Sequence, residues 1–162
     1  MVSYMYNIMF VCYGNICRSP MAEMIFKDLM YKNNKKFLFN CCSRATSMEE
    51  YGNDIYPKAK RILEENNITV ERHSASMAKK DDYSKYDFIL CMDMNNYYDL
   101  VNIFNGDPDN KIKLLMSFTG RDEEIEDPWY TDNFQKVFGM IKDGCEALFD
   151  YLVDNYENSA NM

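Results

Sequence analysis

The sequence predicts a single α/β domain over residues 1–162, with an ordered core at about 5–155. Four short segments with the pattern of strands, two of them apolar runs typical of strands buried on both faces, alternate with segments whose apolar residues recur every three or four positions. This alternation predicts a four-stranded parallel sheet with helices on both faces. A chain of 162 residues is long enough to bury one core of this kind.

The first strand is predicted at residues 8–11, where Ile, Met, Phe and Val follow one another. We expect the next helix to have Ser19 as its N-cap, because a serine hydroxyl can accept hydrogen bonds from the free N–H groups of a first turn. Pro20 suits the first helical position, and Glu23 suits the first turn. The apolar face of this helix would then carry Met21, Ile25 and Leu29.

The same patterns predict the remaining elements. Further strands are expected at residues 37–42, 88–92 and 111–116. Further helices are expected at residues 56–66, 95–104 and about 132–153. Ligands of a parallel sheet bind beyond the carboxyl ends of its strands, so we expect the functional site where the first strand ends, at Cys12.

The charge of the chain excludes some classes of partner. Its net charge is −8, and residues 121–162 hold 3 basic and 11 acidic side chains while residues 1–120 are neutral. An acidic chain is a poor candidate for binding nucleic acid phosphates. No apolar run approaches the roughly 20 residues of a membrane-spanning helix, and residues 1–10 lack the features of a signal peptide. We therefore expect a cytoplasmic protein without nucleic acid or membrane partners.

The six cysteines do not form a recognisable metal motif. No C-x-x-C pair occurs and His73 is the only histidine, so we expect no metal site and no cofactor. Cys91 lies in an apolar run and Cys145 on a helical apolar stripe, which indicates buried packing roles for both. In the cytoplasm these thiols would stay reduced.

The segment between the first strand and the first helix has the spacing C-x5-R-S, from Cys12 to Ser19. Between a buried strand and a helix N-terminus, such a loop can turn successive backbone N–H groups inward to form an anion cradle. Gly14 permits close approach and unusual φ angles, and Asn15 tolerates positive φ. The sequence therefore predicts a phosphate-binding loop after the first strand.

Two side chains of this loop could bind phosphate and react with it. Arg18 offers a planar fork that can hold two phosphate oxygens. Cys12 would lie at the bottom of the cradle, where the same N–H groups and helix dipole favour a thiolate nucleophile, steadied by the Ser19 hydroxyl. The alternative is a buried cysteine, a surface arginine and a serine that only caps the helix.

A cysteine that attacks phosphorus needs a general acid for the leaving oxygen. Asp127 is the best candidate, because it lies in the E-D-P-W-Y stretch between the last strand and the last helix. Trp129 and Tyr130 could form an apolar wall for an aryl substrate in this loop. The alternative is a turn whose aromatic side chains pack on the core.

These motifs together resemble the low-molecular-weight protein tyrosine phosphatases, over essentially the whole chain. The resemblance includes the loop at residues 12–19 with P-M-A-E after it, S-R-A-T-S at 43–47, Gly52-Asn53, the strand at 88–93 and D-P-W-Y at 127–130. It implies hydrolysis of phosphotyrosine in proteins, in two steps and without metal or cofactor. Cys12 would attack the phosphomonoester, Asp127 would protonate the leaving oxygen and then activate water, and Arg18 would hold the phosphate with the N–H groups of residues 13–18.

The resemblance also implies a supporting polar network. It would contain Asn15, Ser19, Ser43 and His73, although a lone histidine could equally lie at the surface. Asp93 would either orient Arg18 or cap the next helix. Cys17 would pair with the nucleophile under oxidation, or only fill the loop.

The substrate rim departs from many members of the family. Glu49 stands near a position that is often aromatic or apolar, with Tyr51 two residues on, and Tyr13 replaces a smaller or aliphatic residue. With Trp129 and Tyr130 these residues form the expected rim. An acidic rim would favour basic phosphopeptides over acidic ones.

Other activities share this loop. Protein-arginine phosphatases of the fold carry threonine at position 16 and related arsenate reductases carry serine, whereas Ile16 is typical of the tyrosine phosphatases. A thioredoxin-coupled reductase would also need a relay of mobile cysteines, which Cys91 does not offer. A non-enzymatic phosphate-binding module would have lost Cys12, Arg18 or Asp127. We expect a monomer or weak dimer that acts on a phosphotyrosine protein.

Overall fold

The computed structural model describes residues 5–161 and contains a parallel sheet with the strand order β2-β1-β3-β4. The strands are β1 (Tyr6–Cys12), β2 (Phe39–Ala45), β3 (Phe88–Cys91) and β4 (Ile112–Leu114). The helices are α1 (Arg18–Lys32), α2 (Pro57–Glu65), α3 (Met94–Phe104), α4 (Pro128–Thr131) and α5 (Phe134–Ala160). Short 3₁₀ turns lie at Lys36–Leu38, Lys80–Lys85 and Leu115–Thr119. The predicted fold class is confirmed.

Alternation along β1 divides the core into two layers. Phe10 packs in a cluster with residues of α1, α2 and α5, including Phe26 and Ile141. Its neighbour Val11 points to the opposite face and packs with Leu100 of α3. Successive side chains of a strand point to opposite faces, so an apolar run buried on both sides requires helices on both sides.

The register of the sheet positions the site. Cys12 pairs with Ala45 at the carboxyl ends of β1 and β2, and Val11 pairs with Cys91 at the end of β3. The segments that follow these strands therefore leave the sheet along one edge. Cys91 and Cys145 are both fully buried, as predicted.

Helix α1 begins earlier than predicted, and the proposed Ser19 cap is wrong. Cys17 occupies the N-cap position without a side-chain bond to the first turn, and Pro20 is the third helical residue. The Ser19 hydroxyl instead lies 3.0 Å from Cys12 Sγ. Glu23 falls in the second turn, where its carboxylate accepts a hydrogen bond from Ser43. The N–H groups of the first turn thus have no side-chain cap, which leaves them available to an anion.

Other boundaries shift for local reasons. β2 starts at Phe39 rather than at residue 37, because a 3₁₀ turn precedes it and leaves Phe37 exposed. β4 is shorter than predicted because its last residues form a 3₁₀ turn. α5 continues to Ala160, beyond the apolar repeat that ended the prediction at residue 153. None of the helices described has the length and apolar character to cross a bilayer.

Candidate active site

A cavity of about 110 Å³ lies at the carboxyl edge of the sheet, over the end of β1. Its walls come from the segment after β1, the segment after β2 and the start of α4. It is lined by Cys12, Tyr13, Gly14, Ile16, Cys17, Arg18, Glu49, Glu50, Asp127, Trp129 and Tyr130. The predicted nucleophile, phosphate ligand and general acid therefore share one cleft.

The cysteine loop (residues 12–19) turns from β1 into α1 through one left-handed residue. Asn15 has a φ of 61° and is completely buried. Asparagine tolerates this conformation better than most residues. Gly14 does not take the unusual φ that we expected, and a Cβ atom there would lie 3.4 Å from Glu50 Cγ, close to ordinary van der Waals contact.

Cys12 lies almost buried at the base of the cleft. Its sulfur is 3.0 Å from Ser19 Oγ and accepts a hydrogen bond from the backbone N–H of Asn15 at 3.3 Å. An N–H group can only donate, so the sulfur is the acceptor in this contact. These bonds fit the nucleophile role better than a packing role.

Arg18 is only 2% exposed, which excludes the alternative of a surface charge. Its Nη1 donates to Asp93 Oδ2 at 2.7 Å and to the Ile125 carbonyl at 2.9 Å, while Nη2 lies 3.4 Å from Asp127 Oδ2. Burial alone disfavours the cation, but Cys12 and the two carboxylates offset it and raise the pKa of Arg18 above its ordinary value. The guanidinium is thus held charged.

Asp93 fulfils both of the roles that the sequence left open. Oδ2 accepts from Arg18, and Oδ1 accepts from the backbone N–H of Asn96 as the N-cap of α3. One carboxylate therefore ties the orientation of the arginine to the start of a helix. The carbonyl of Ile125 was missed by sequence reasoning, because a backbone acceptor has no signature in the side chains.

Asp127 is the N-cap of α4, so the expected loop here is a short helix. Its Oδ1 accepts from the Trp129 N–H at 3.1 Å, and its side chain is 25% exposed. Trp129 packs edge-on against Tyr56 with ring centroids 4.9 Å apart, and it is half exposed on the cleft side. Tyr130 is mostly exposed. The aromatic side chains therefore form a wall of the cleft rather than part of the core.

The predicted supporting residues make contact behind the loop. Asn15 Nδ2 lies 2.8 Å from Ser19 Oγ and 3.0 Å from Ser43 Oγ. The ring Nε2 of His73 lies 2.7 Å from the Asn15 carbonyl, which can only accept, so His73 donates. Sequence reasoning missed the last member of this network, Glu23, because it was assigned to the helix terminus.

The rim differs from the expectation in that one predicted residue is replaced by its neighbour. Tyr13 donates to Glu49 Oε1 at 2.6 Å, and this hydrogen bond raises the pKa of Tyr13. Tyr51 is largely exposed and does not line the cleft, whereas Glu50, which we did not predict, does. In a turn of exposed residues the sequence carries no periodicity that would distinguish the two.

Cys17 lies beside Cys12 in the loop and is buried. Burial raises the pKa of its thiol well above the ordinary value. The Cys17 thiol is therefore held in its protonated form. Within residues 5–161, no three His, Cys, Asp or Glu side chains are grouped so as to hold a metal ion.

Comparisons with known proteins agree with this geometry. Residues 7–158 match the family model described as low molecular weight phosphotyrosine protein phosphatase. The low molecular weight protein-tyrosine-phosphatase YfkJ of Bacillus subtilis is 34% identical over 89% of this chain and 94% of its own. PtpA of Staphylococcus haemolyticus, with the same description, is 33% identical over 92% and 95%.

Solved structures are similar over the same range. The crystal structure of YfkJ matches with a TM-score of 0.90 at 32% identity, covering 94% of this chain and 98% of YfkJ. The crystal structure of DARP, a Drosophila arginine phosphatase, matches with a TM-score of 0.82 at 29% identity, covering 90% and 96%.

Proposed function

The chain belongs to the low molecular weight protein tyrosine phosphatase family, whose members hydrolyse phosphotyrosine through a phosphocysteine intermediate, and on that premise we propose which residues carry the reaction. Cys12 is the nucleophile, Arg18 and the N–H groups of the cysteine loop bind the phosphoryl oxygens, and Asp127 is the general acid and base. The observation that supports this assignment is the single cleft that all three side chains line.

In the first step, Cys12 Sγ attacks phosphorus and the bond to the tyrosine oxygen breaks. Asp127 donates its proton to that oxygen, so that tyrosine leaves as a neutral phenol and phosphocysteine remains. A bound phosphate dianion would engage Arg18 and place negative charge beside Asp127.

In the second step, Asp127 takes a proton from a water molecule, which attacks the phosphocysteine. The phosphorus–sulfur bond breaks, inorganic phosphate leaves and Cys12 returns as a thiolate. The Ser19 hydroxyl, 3.0 Å from the sulfur, stabilises the thiolate in both steps.

Arg18 contributes because it is fixed before the substrate arrives. Its Nη1 is occupied by Asp93 and Ile125, and Nη2 is directed toward Asp127 at the mouth of the loop. A charged donor held in place can stabilise the charge of the transition state without reorganisation. The loop N–H groups complete this binding site.

The cleft favours an aryl phosphate over a guanidinium phosphate. Ile16 and Trp129 give the cleft apolar surface, which a phenyl ring can bury. A protein-arginine phosphatase is the second candidate, because a structural relative carries that description. The rates at which the protein hydrolyses phosphoarginine and phosphotyrosine peptides at equal concentration distinguish the two candidate activities.

We also propose a cytoplasmic enzyme that is a monomer or weak dimer. The mechanism needs Cys12 as a free thiol, and a reducing compartment would keep it so. Sedimentation velocity at several protein concentrations tests the oligomeric state.

The roles are tested with the purified protein and the Cys12→Ser variant on phosphotyrosine, phosphoserine and phosphoarginine peptides. We expect phosphotyrosine hydrolysis by the wild type, a loss on the order of 10⁴-fold or more in Cys12→Ser, and no effect of EDTA. Cys145→Ser is the matched control, because that thiol is buried away from the cleft. Comparable activity in Cys12→Ser would exclude the mechanism, and preference for phosphoarginine would exclude the substrate.

A further inference from the structure

A chain of buried hydrogen bonds leads away from Cys12 and ends at Glu23 on α1. Glu23 is 9% exposed, with Oε1 accepting from the Ser43 hydroxyl at 2.6 Å and Oε2 from the Lys27 ammonium at 2.6 Å. A carboxylate can only accept hydrogen bonds. Ser43 therefore directs its only hydroxyl hydrogen toward Glu23.

Asn15 forms the next link, and its amide orientation is fixed independently. Its Oδ1 accepts from the backbone N–H of Ser76 at 3.1 Å, so Nδ2 must face the two serines. Nδ2 donates to Ser43 Oγ at 3.0 Å and to Ser19 Oγ at 2.8 Å. Ser43 can accept this bond because its own hydrogen is directed at Glu23.

Ser19 is the last link before the sulfur. Its oxygen receives a hydrogen from Asn15, so its own hydrogen is free to be donated. Two acceptors are in reach, Cys12 Sγ at 3.0 Å and the Arg44 carbonyl at 3.4 Å. The shorter contact directs the hydroxyl to the sulfur, where a donor stabilises the thiolate.

We propose that Glu23 is a positioning residue for the nucleophile: its charge orients the chain of hydrogen bonds through Ser43 and Asn15. At the far end of that chain, the Ser19 hydroxyl donates to the Cys12 thiolate. The inference rests on the proposed role of Cys12 as the nucleophile. It extends that role to a carboxylate that does not line the cleft.

The surroundings hold the Glu23 side chain in place. Lys27 bridges it to Glu71 at 2.8 Å, and although burial opposes the ammonium, the bonds to both carboxylates raise the pKa of Lys27. The other titratable groups near Glu23 are Cys41 and Cys42 on β2. Those that share the cleft with Cys12 are Cys17, Arg18, Glu49, Glu50, Asp127, Tyr13 and Tyr130.

The test is the pH dependence of iodoacetamide alkylation of Cys12, measured by mass spectrometry of the peptide that contains it. Glu23→Gln keeps the shape of the side chain but removes its charge. Lys27 would then hydrogen-bond the amide oxygen, so that the amide N–H group faces Ser43 and cannot accept the hydrogen of its hydroxyl. We expect the midpoint of alkylation to move to higher pH by about one unit, the size of one hydrogen bond to a charged group. Glu71→Gln, which removes the other partner of Lys27, should leave the midpoint unchanged.

A double variant separates this role from a general structural one. In the Ser19→Ala background, Glu23→Gln should add no further shift, because the link to the sulfur is already missing. An unchanged midpoint in folded Glu23→Gln protein, or the same shift in both backgrounds, would overturn the proposal. If thermal unfolding shows that Glu23→Gln does not fold, Ser43→Ala carries the test: a shift supports the chain and an unchanged midpoint refutes it. Alkylation of Cys12 needs no substrate. A failure of the Glu23 proposal in this experiment is therefore distinguishable from a failure of the proposed function, which would appear as continued hydrolysis by Cys12→Ser.

Discussion

The two segments that meet in the cleft are built in opposite ways. The cysteine loop is closely held: Asn15 and Ser19 are fully buried and Arg18 nearly so. The acid segment (residues 121–131) is open, with Asp127 partly exposed and Tyr130 80% exposed. The proposed phosphate site is thus fixed before binding, while the proposed acid and the aromatic wall remain accessible to a protein substrate.

The distribution of charge along the chain also bears on how the two segments would act. The net charge of −8 lies entirely in residues 121–162, so the field of the whole protein does not attract phosphate. Binding must therefore depend on short-range donors, which are the loop N–H groups and one buried arginine. Changes in the cysteine loop should accordingly cost more activity than changes in the acid segment.

Arg18→Lys tests the loop side of the comparison, and we expect a loss on the order of 10³-fold in kcat/KM. A lysine can retain the charge near Asp93, but it cannot also present a planar fork to the phosphate. Steady-state kinetics with a phosphotyrosine peptide measure the loss, and thermal unfolding checks the fold. Arg44→Lys is the matched control, because Arg44 bonds the Ser43 carbonyl outside the cleft. Near-normal activity in Arg18→Lys would refute the proposed fork.

Asp127→Asn tests the acid segment, and we expect a loss of about 10²-fold on phosphotyrosine. The loss should be smaller on p-nitrophenyl phosphate, because its leaving group needs less protonation. Asp132→Asn, at the C-cap of α4 and paired with Lys58, serves as the control. Equal losses on both substrates would argue against general acid catalysis by Asp127.

Glu49→Gln tests the rim, where we expect the smallest effect. An exposed acidic side chain should favour phosphopeptides with lysine or arginine beside the phosphotyrosine by about two- to five-fold. The variant should lose that preference while its activity on p-nitrophenyl phosphate is retained. Glu64→Gln, exposed on α2, provides the control. If Glu49→Gln retains the preference for basic peptides, that preference comes from another residue.

The sequence was most informative where local chemistry decides the structure. The apolar run of β1 and the spacing of Cys12 and Arg18 predicted the sheet and the position of the loop. Ser19 was assigned two roles, as the cap of the first helix and as a support for Cys12. The cap, which rested on local propensity, is wrong, whereas the contacts of its hydroxyl with Cys12 and Asn15 are present in the structure.

What the sequence did not predict depends on contacts between distant segments. Ile125 supplies a backbone carbonyl to Arg18 across 107 residues, and the side-chain pattern carries no trace of that acceptor. Glu50 rather than Tyr51 reaches the cleft because of the path of the turn after β2. The short helix α4 has only four residues, too few for a periodic signal.

The most direct test of the account is a rapid-quench experiment with a phosphotyrosine peptide, in which the enzyme is denatured, digested with a protease and examined by mass spectrometry. The account predicts a transient phosphoryl group on the peptide that contains Cys12, formed in step with the release of dephosphorylated peptide. The adduct should persist longer in Asp127→Asn, because the water that removes it is no longer activated. A phosphoryl group on another residue, or turnover without any adduct on Cys12, would contradict the account.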